Sequence, residues 1–287
     1  MTIRPIKTML TYFKKLPYDN VKPKLEGHLM KFKTHLFTSM VIFLFLSNIS
    51  SVYAKQFNVL LFTKTAGWHH SAIHEGVTAM RELSSRHDFG LEWHEYADLV
   101  INDDYLSKFD VVVLLNTTSD IFNEEQQQAF KRFIQSGKGF VGVHAASDTE
   151  YDWEWYGKLV GHYFEIHPEN QTAVLVKQDN SFPGMQGFND RHIWTDEFYN
   201  FLPANTEGLN YLLTIDESTY NPKADWGDKK SDGMGEFHPL AWYHEYDGGR
   251  SFYTALGHIP GVYRDEVFLA HLYGGIFWAA TGKGVDK

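Results

Sequence analysis

Two hydrophobic periods take turns along residues 57–280. Phe57-Asn-Val-Leu-Leu-Phe62 is a short apolar run of the kind that fills a central parallel strand, buried on both faces. It stops at Thr63, and residues 64–70 read as the loop at its carboxyl end. Ser71 is placed to cap a helix whose apolar residues Ile73, Val77, Met80 and Leu83 recur every three or four positions. Residues 91–96 alternate and predict a second strand; Asp110-Val-Val-Val-Leu-Leu115 predicts a third. Asn123 opens another helix, with Ala129, Phe130, Phe133 and Ile134 facing inward and Gly137 ending it. Gly139-Phe-Val-Gly-Val-His-Ala-Ala-Ser-Asp148 then predicts a buried strand that breaks sharply at His144. Strands and helices alternating over short links make a doubly wound, mainly parallel α/β sheet. Ligands bind such sheets beyond the carboxyl ends of the strands, where His144 stands.

The second half is less regular. Residues 171–176 and 209–215 predict strands around a loop-rich insert carrying Phe182-Pro-Gly184 and His192-Ile-Trp-Thr-Asp-Glu197. Residues 221–235, with Pro222, Asp225, Gly227 and Gly233, predict an exposed loop. Asp247-Gly-Gly249 between the runs 240–246 and 250–256 predicts a β-hairpin, with Trp242, His244 and Tyr246 on one face and Tyr243 and Glu245 on the other. Gly257-His258 follows directly. Residues 265–280 predict a closing helix with Phe268, Leu272, Ile276 and Ala279 in a stripe and Gly274-Gly275 permitting close packing. No repeat interrupts residues 55–287, which read as one domain.

Residues 1–54 follow another pattern. Lys31-Phe-Lys33, an apolar run over residues 36–49 too short to span a bilayer comfortably, and Val52 and Ala54 at the −3 and −1 positions match a secretory signal peptide cleaved after Ala54. An uncleaved membrane anchor is the alternative. Residues 1–29 read as an extension ahead of the true start, or as a disordered leader. The expected destination is the periplasm or the extracellular space.

Composition narrows the function. The chain carries a net charge of −10, and residues 1–54 are basic, so the remainder is more acidic still and repels the phosphates of nucleic acid. There is no cysteine, which excludes a thiol nucleophile and disulfides. Aromatic residues make up 16% of the chain; most are expected in the core, but rings with broad apolar faces and polar tips also suit sugars. The oligomeric state leaves no mark on the sequence.

The predicted sheet brings distant histidines to one edge: His69 and His70 after the first strand, His144 after the fourth, His258 after the last. Imidazole carries protons near neutral pH and ligates metals. With a carboxylate, these rings make two candidate sets. His144, His258, Asp148 and Glu197 are candidates for acid/base chemistry; His69, His144 and His258 are candidate ligands of a divalent metal. No His-x-x-x-His pair on a helix decides between the two. Asp148 also reads as a turn or cap residue, Glu197 as a solvated loop acid, and Glu245 as structural.

The same residues fall in ordered motifs: Gly67-Trp-His-His70, Gly139-Phe-Val-Gly-Val-His-Ala-Ala146, Gly161-His-Tyr-Phe-Glu-Ile-His-Pro168, Thr195-Asp-Glu-Phe-Tyr199, His238-Pro-Leu-Ala-Trp242 and Gly249-Arg-Ser-Phe-Tyr-Thr-Ala-Leu-Gly-His258. In this order and spacing, residues 57–282 resemble the ThuA-like (trehalose utilisation) family. The resemblance implies the class I glutamine amidotransferase-like fold, a flavodoxin-like three-layer α/β arrangement. True amidotransferases place a Cys at the elbow and follow their late His, two residues on, with Glu. Here His144 holds the elbow and Pro260 stands where the Glu would be, so ammonia transfer is not expected.

What the resemblance implies further is sugar catabolism, alongside oxidoreductases that make 3-keto-glycosides. It implies a small-molecule sugar substrate and a functional link to a sugar oxidoreductase. His144 or His258 would be the base or a metal ligand. Trp68 would stack on the sugar or serve as a core lid, and His69, His70, His162 and His167 would hold the substrate. Three readings stay open: an exported enzyme on keto-glycosides or trehalose-like disaccharides, a non-catalytic carbohydrate-binding protein, and another hydrolase or isomerase on the same scaffold.

Overall fold

A computed structural model describes residues 54–202 and 208–285. The expected export segment, residues 1–54, lies outside the described residues except for Ala54. Three short apolar runs and one alternating edge strand form the parallel part of the sheet: β1 (Asn58–Phe62), β2 (Gly90–His94), β3 (Val111–Leu115) and β4 (Gly139–Val143), β2 being the edge. They pair in parallel in the order β2-β1-β3-β4. β3 and β4 are buried along their whole length, because helices cover both faces. β2, at the edge, is partly exposed.

The helices longer than one turn are α1 (Ile73–His87), α2 (Glu124–Gln135), α3 (Glu154–Val160) and α4 (Glu266–Thr281). Asn123 caps α2 in a reciprocal box with Gln126, as its sequence predicts. Ser71 does not cap α1. That helix begins after Ala72 with no side-chain cap, because the His70 carbonyl already accepts the Ile73 N–H at 3.3 Å.

Beyond Tyr163–Ile166 (β5) the sheet gains an antiparallel wing. β6 (Gln171–Lys177), β7 (Arg191–Asp196), β9 (Asn210–Asp216), β12 (Pro239–Tyr246) and β13 (Gly249–Thr254) extend the order to β2-β1-β3-β4-β13-β12-β9-β6-β7, with β13 parallel to β4. The insert expected to be loop-rich therefore holds a strand, β7, and a second short one, β8 (Asn200–Leu202), which pairs with β5. Its alternation was masked because Ile193 points to solvent beside buried Trp194 on an edge strand. Residues 221–235 form a loop as expected, stiffened by a two-residue ladder between β10 (Ala224–Asp225) and β11 (Lys230–Ser231).

The hairpin turns at Asp247 and Gly248, both at positive φ (47° and 90°), the backbone that matches the twist of the flanking strands. On β12, Trp242 and His244 face α3 and donate to the Val160 and Leu159 carbonyls at 2.7 and 2.9 Å. α4 is apolar nearly all round and is buried between the parallel strands and the wing. Gly274 and Gly275 make that possible: a Cβ on Gly275 would collide with the Phe252 ring, and one on Gly274 with the Pro183 carbonyl. Among the described residues no helix is long and apolar enough to cross a membrane.

Inside this packing α4 carries a polar anomaly. His271 is fully buried against Phe188 and Phe252, and neither ring nitrogen has a hydrogen-bond partner among the described residues. Burial pushes its pKa down to about 3 from an ordinary 6.5. The folded ring therefore stays neutral while the unfolded chain takes up a proton below pH 6.5. The stability it contributes is intact above that pH and is lost as pH falls from 6.5 towards 3, by about 1.4 kcal/mol per pH unit. Replacing His271 by Leu should therefore shrink the wild-type loss of stability between pH 7 and pH 5 by about 2 kcal/mol in urea denaturation. An unchanged difference would mean that the ring is not held neutral in the folded state.

Candidate functional site

The site is assembled at the carboxyl edge of the parallel strands. β4 ends at His144, whose φ of 49° places it in the left-handed region. That conformation costs a non-glycine residue about 1–2 kcal/mol and must be held by its surroundings. Three contacts hold it. The His144 Nδ1–H donates to the Ala255 carbonyl at 2.7 Å, and the His144 carbonyl accepts from the Tyr253 and Ser147 hydroxyls at 2.7 and 3.3 Å. Tyr199 covers the ring, with centroids 4.2 Å apart. The ring is sealed from solvent except toward the other imidazoles, and its Nε2 is the atom presented to them.

His258 follows β13, and its Nδ1 lies 3.2 Å from His144 Nε2. His70, at the end of the loop after β1, turns inward edge-on to both rings, with centroids 5.2 and 5.4 Å away. Glu197 completes the group: its Oε2 is 3.4 Å from His144 Nε2 and 3.2 Å from His258 Nδ1, and its Oε1 is 3.1 Å from His167 Nδ1. The donor atoms of His70, His144, Glu197 and His258 all lie within 4.8 Å of one another, the arrangement of a potential metal site.

Glu197 arrives there by an indirect route. Neighbouring strands lie about 4.8 Å apart, so β7, four places from β13 in the sheet, would sit about 19 Å away if the sheet were flat. Instead, Asp196 at the end of β7 accepts the backbone N–H groups of Gly257, His258 and Ile259 at 2.9, 3.2 and 3.0 Å, and that of Glu197 at 3.1 Å. The wing thus curls over the carboxyl edge and delivers Glu197 to the histidines.

Electrostatics follow from burial and proximity. Burial, then repulsion from His144 and His258, pushes His70 down to about 3. Burial pulls the Glu197 pKa up, but the hydrogen bonds and positive charge of the surrounding imidazoles win and hold it well below the carboxylate range. For His258, burial is likewise outweighed by Glu197, and its pKa rises. Burial lowers His167 and raises Asp148 and Asp196.

Above this floor opens a cavity of about 800 Å³. Its walls include Trp68, Phe164, His167 and Asp148, together with Lys223, Asp225 and Trp226 from the loop expected to be merely exposed, Trp226 packing edge-on to His167. Trp68 is 73% exposed, which rules out the core-lid alternative. Asp148 accepts from the Tyr151 hydroxyl at 2.7 Å. Two residues expected at the site stand apart. His69 faces solvent with Nδ1 3.2 Å from the Thr65 hydroxyl, so within the His69-His70 pair it is His70 that turns inward and joins His144 and His258. His162 is buried against Trp242 and Tyr211, outside the cavity wall. Tyr199, Asp196 and Trp226 were not legible as site residues, since each acts through neighbours distant in sequence.

The ThuA family model, described as trehalose utilisation, matches residues 58–279. The chain belongs to the ThuA family. Solved ThuA-like proteins from Bacteroides uniformis (18% identity, TM-score 0.66, 79% of this chain and 92% of that one) and Parabacteroides merdae (20% identity, TM-score 0.65, 80% and 92%) share its fold. So does a cytoplasmic protein from Salmonella typhimurium, at 10% identity and a TM-score of 0.54, over 78% of this chain and 99% of that one. No curated protein sequence matches. The α/β fold expected from the strand pattern is therefore the ThuA fold.

In this ThuA chain the Asp196 clamp gives a direct test. Asp196→Ala leaves four buried N–H groups without their acceptor and should cost about 3 kcal/mol or more in urea denaturation, with Asp196→Asn costing less because an amide oxygen still accepts. A loss below about 1 kcal/mol for the alanine variant would show that other contacts hold the wing.

Proposed function

We propose that this ThuA protein processes a carbohydrate, and that it is an enzyme cleaving keto-glycosides or related trehalose-like disaccharides. The observation that carries the reading is the placement of His70, His258 and Glu197, with His144 buried directly behind them, at the floor of a cavity whose rim holds two exposed indoles, Trp68 and Trp226. Indole faces suit the apolar faces of sugar rings, and the acidic lining of Asp148, Glu169 and Asp225, with Asn170 beside them, suits their hydroxyls. The family's description as trehalose utilisation points to the same substrate class.

The chemistry follows from what the floor offers. A ketone at C3 of a sugar acidifies the hydrogen on C2. A base removes that proton, the electron pair moves into an enolate, and the C1–O bond then breaks as the pair returns, with a proton passing to the departing alcohol. Such a reaction needs a proton acceptor, positive charge near the enolate oxygen and a proton donor. Imidazoles and Asp148 around one cavity supply the first and third, and an ion held by the imidazoles and Glu197 would supply the second. On the same reading, residues 1–54 direct export.

The test is turnover of 3-keto-trehalose against trehalose by the full chain, followed as released monosaccharide. His144→Ala should lower the rate by about 100-fold or more. Trp226→Ala should raise KM by about 3- to 10-fold and leave kcat nearly unchanged, because an indole on the wall binds ground and transition states alike. Saturable sugar binding with no product would leave a carbohydrate-binding protein instead, and wild-type turnover by His144→Ala would remove that ring from the mechanism.

A further inference from the structure

The hydrogen positions around His144 leave a gap that a second ring proton or a metal ion would close. Its Nδ1 faces the Ala255 carbonyl, which only accepts, so Nδ1 carries a hydrogen and Nε2 of the neutral ring is a lone pair. That lone pair lies 3.4 Å from Glu197 Oε2, a second acceptor, and His258 Nδ1 is 3.2 Å from each of them. One hydrogen on His258 satisfies one of these atoms and leaves the other facing a lone pair in a buried site. His70 sharpens the demand, since its buried Nδ1 has no hydrogen-bond partner among the described residues.

We propose that His144, His258, Glu197 and His70 bind a divalent transition-metal ion of the zinc class. Bonds of about 2.1 Å at tetrahedral angles put donor atoms about 3.4 Å apart, and the triangle of His144 Nε2, His258 Nδ1 and Glu197 Oε2 has edges of 3.2, 3.2 and 3.4 Å. Three imidazoles radiating from such an ion have ring centroids about 5.3 Å apart; those of His70, His144 and His258 are 5.1, 5.2 and 5.4 Å apart. Three nitrogens and one carboxylate oxygen select zinc, cobalt, nickel or iron over magnesium and calcium, which prefer all-oxygen shells.

The surroundings are those of a ligand set held in place. The Ala255 carbonyl fixes the His144 tautomer, His167 stands on the free oxygen of Glu197, and Asp196 pins the backbone of His258. The site itself stands on this geometry; its use rests on the carbohydrate reading. There the metal narrows the substrate to a ketone-bearing sugar, whose carbonyl oxygen would approach the ion as a fifth donor from the cavity side.

The experiment uses the full chain, stripped with chelator and dialysed, then titrated with Co²⁺ followed by visible absorption and with Zn²⁺ followed by calorimetry. The expected result is one ion per chain, the intense visible bands of a low-coordinate cobalt site, and a raised melting temperature. His258→Ala and Glu197→Gln, checked as folded by circular dichroism, should bind at least about 100-fold more weakly. His69→Ala, beside the site but turned to solvent, should bind as wild type. No stoichiometric ion on the folded wild type, or undiminished affinity in both variants, overturns the site. Cleavage of the keto-disaccharide by stripped protein at the untreated rate refutes the metal's role and leaves the sugar reading standing. Tight metal binding with no binding or turnover of keto-sugar does the reverse.

Discussion

The four N–H groups gathered on the Asp196 carboxylate join two parts of the sheet that strand order alone keeps apart. The parallel strands present His70, His144 and His258 at their carboxyl ends. The antiparallel wing brings Glu197 and the chain leading to Tyr199. Neither half makes a site alone: three clustered imidazoles without an anion leave a bound proton or ion uncompensated in a buried place, and a buried carboxylate without donors is costly to desolvate. Asp196 meets its own cost through backbone donors, and those donors belong to the segment that carries His258. The contact that closes the sheet on itself is thus also the one that sets the distance between His258 and Glu197.

Local strain is concentrated at the same place. His144 occupies a left-handed backbone conformation at the end of a strand with no exposed residue, and its ring and carbonyl are fixed from opposite sides by Ala255 and Tyr253. Both partners lie on or just after β13, the strand that leads into His258. Any shift of that strand against β4 would therefore move both imidazoles and release the strained backbone. The floor of the cavity is buried and cross-linked by these contacts, while the rim, carrying Trp68 and Trp226 on loops, is exposed.

How much of this was readable in the sequence follows from the range of the interactions involved. β1, β3 and β4 are apolar runs buried on both faces, a pattern local enough to show itself, and the hairpin turn is written in Asp247-Gly248. His144 and His258 were legible because strand ends are where such sheets bind ligands. β7 was not, because an edge strand with Ile193 in solvent breaks the alternation that marks strands. The choice between His69 and His70 depends on a turn closed by the His70 carbonyl, and residue type cannot orient two neighbouring imidazoles. Asp196 and Trp226 gain their meaning only from segments some 60 residues away, at Gly257 and His167.

An elbow that presents a thiol forms a covalent bond to its substrate; the same elbow presenting His144 leaves one lone pair, because the other nitrogen is committed to Ala255. That lone pair takes a proton or a metal, and it cannot take both. The choice separates roles that the sequence left together. With a metal on His144 Nε2, the ring would stop being a proton carrier, and proton transfer in the cavity would fall to another group. Asp148 faces the same cavity: it is half-buried, accepts from the Tyr151 hydroxyl at 2.7 Å, and has its proton affinity raised by burial. The Ala255 hydrogen bond thus makes proton carriage and metal binding exclusive at His144 while leaving the Asp148 carboxyl outside that choice.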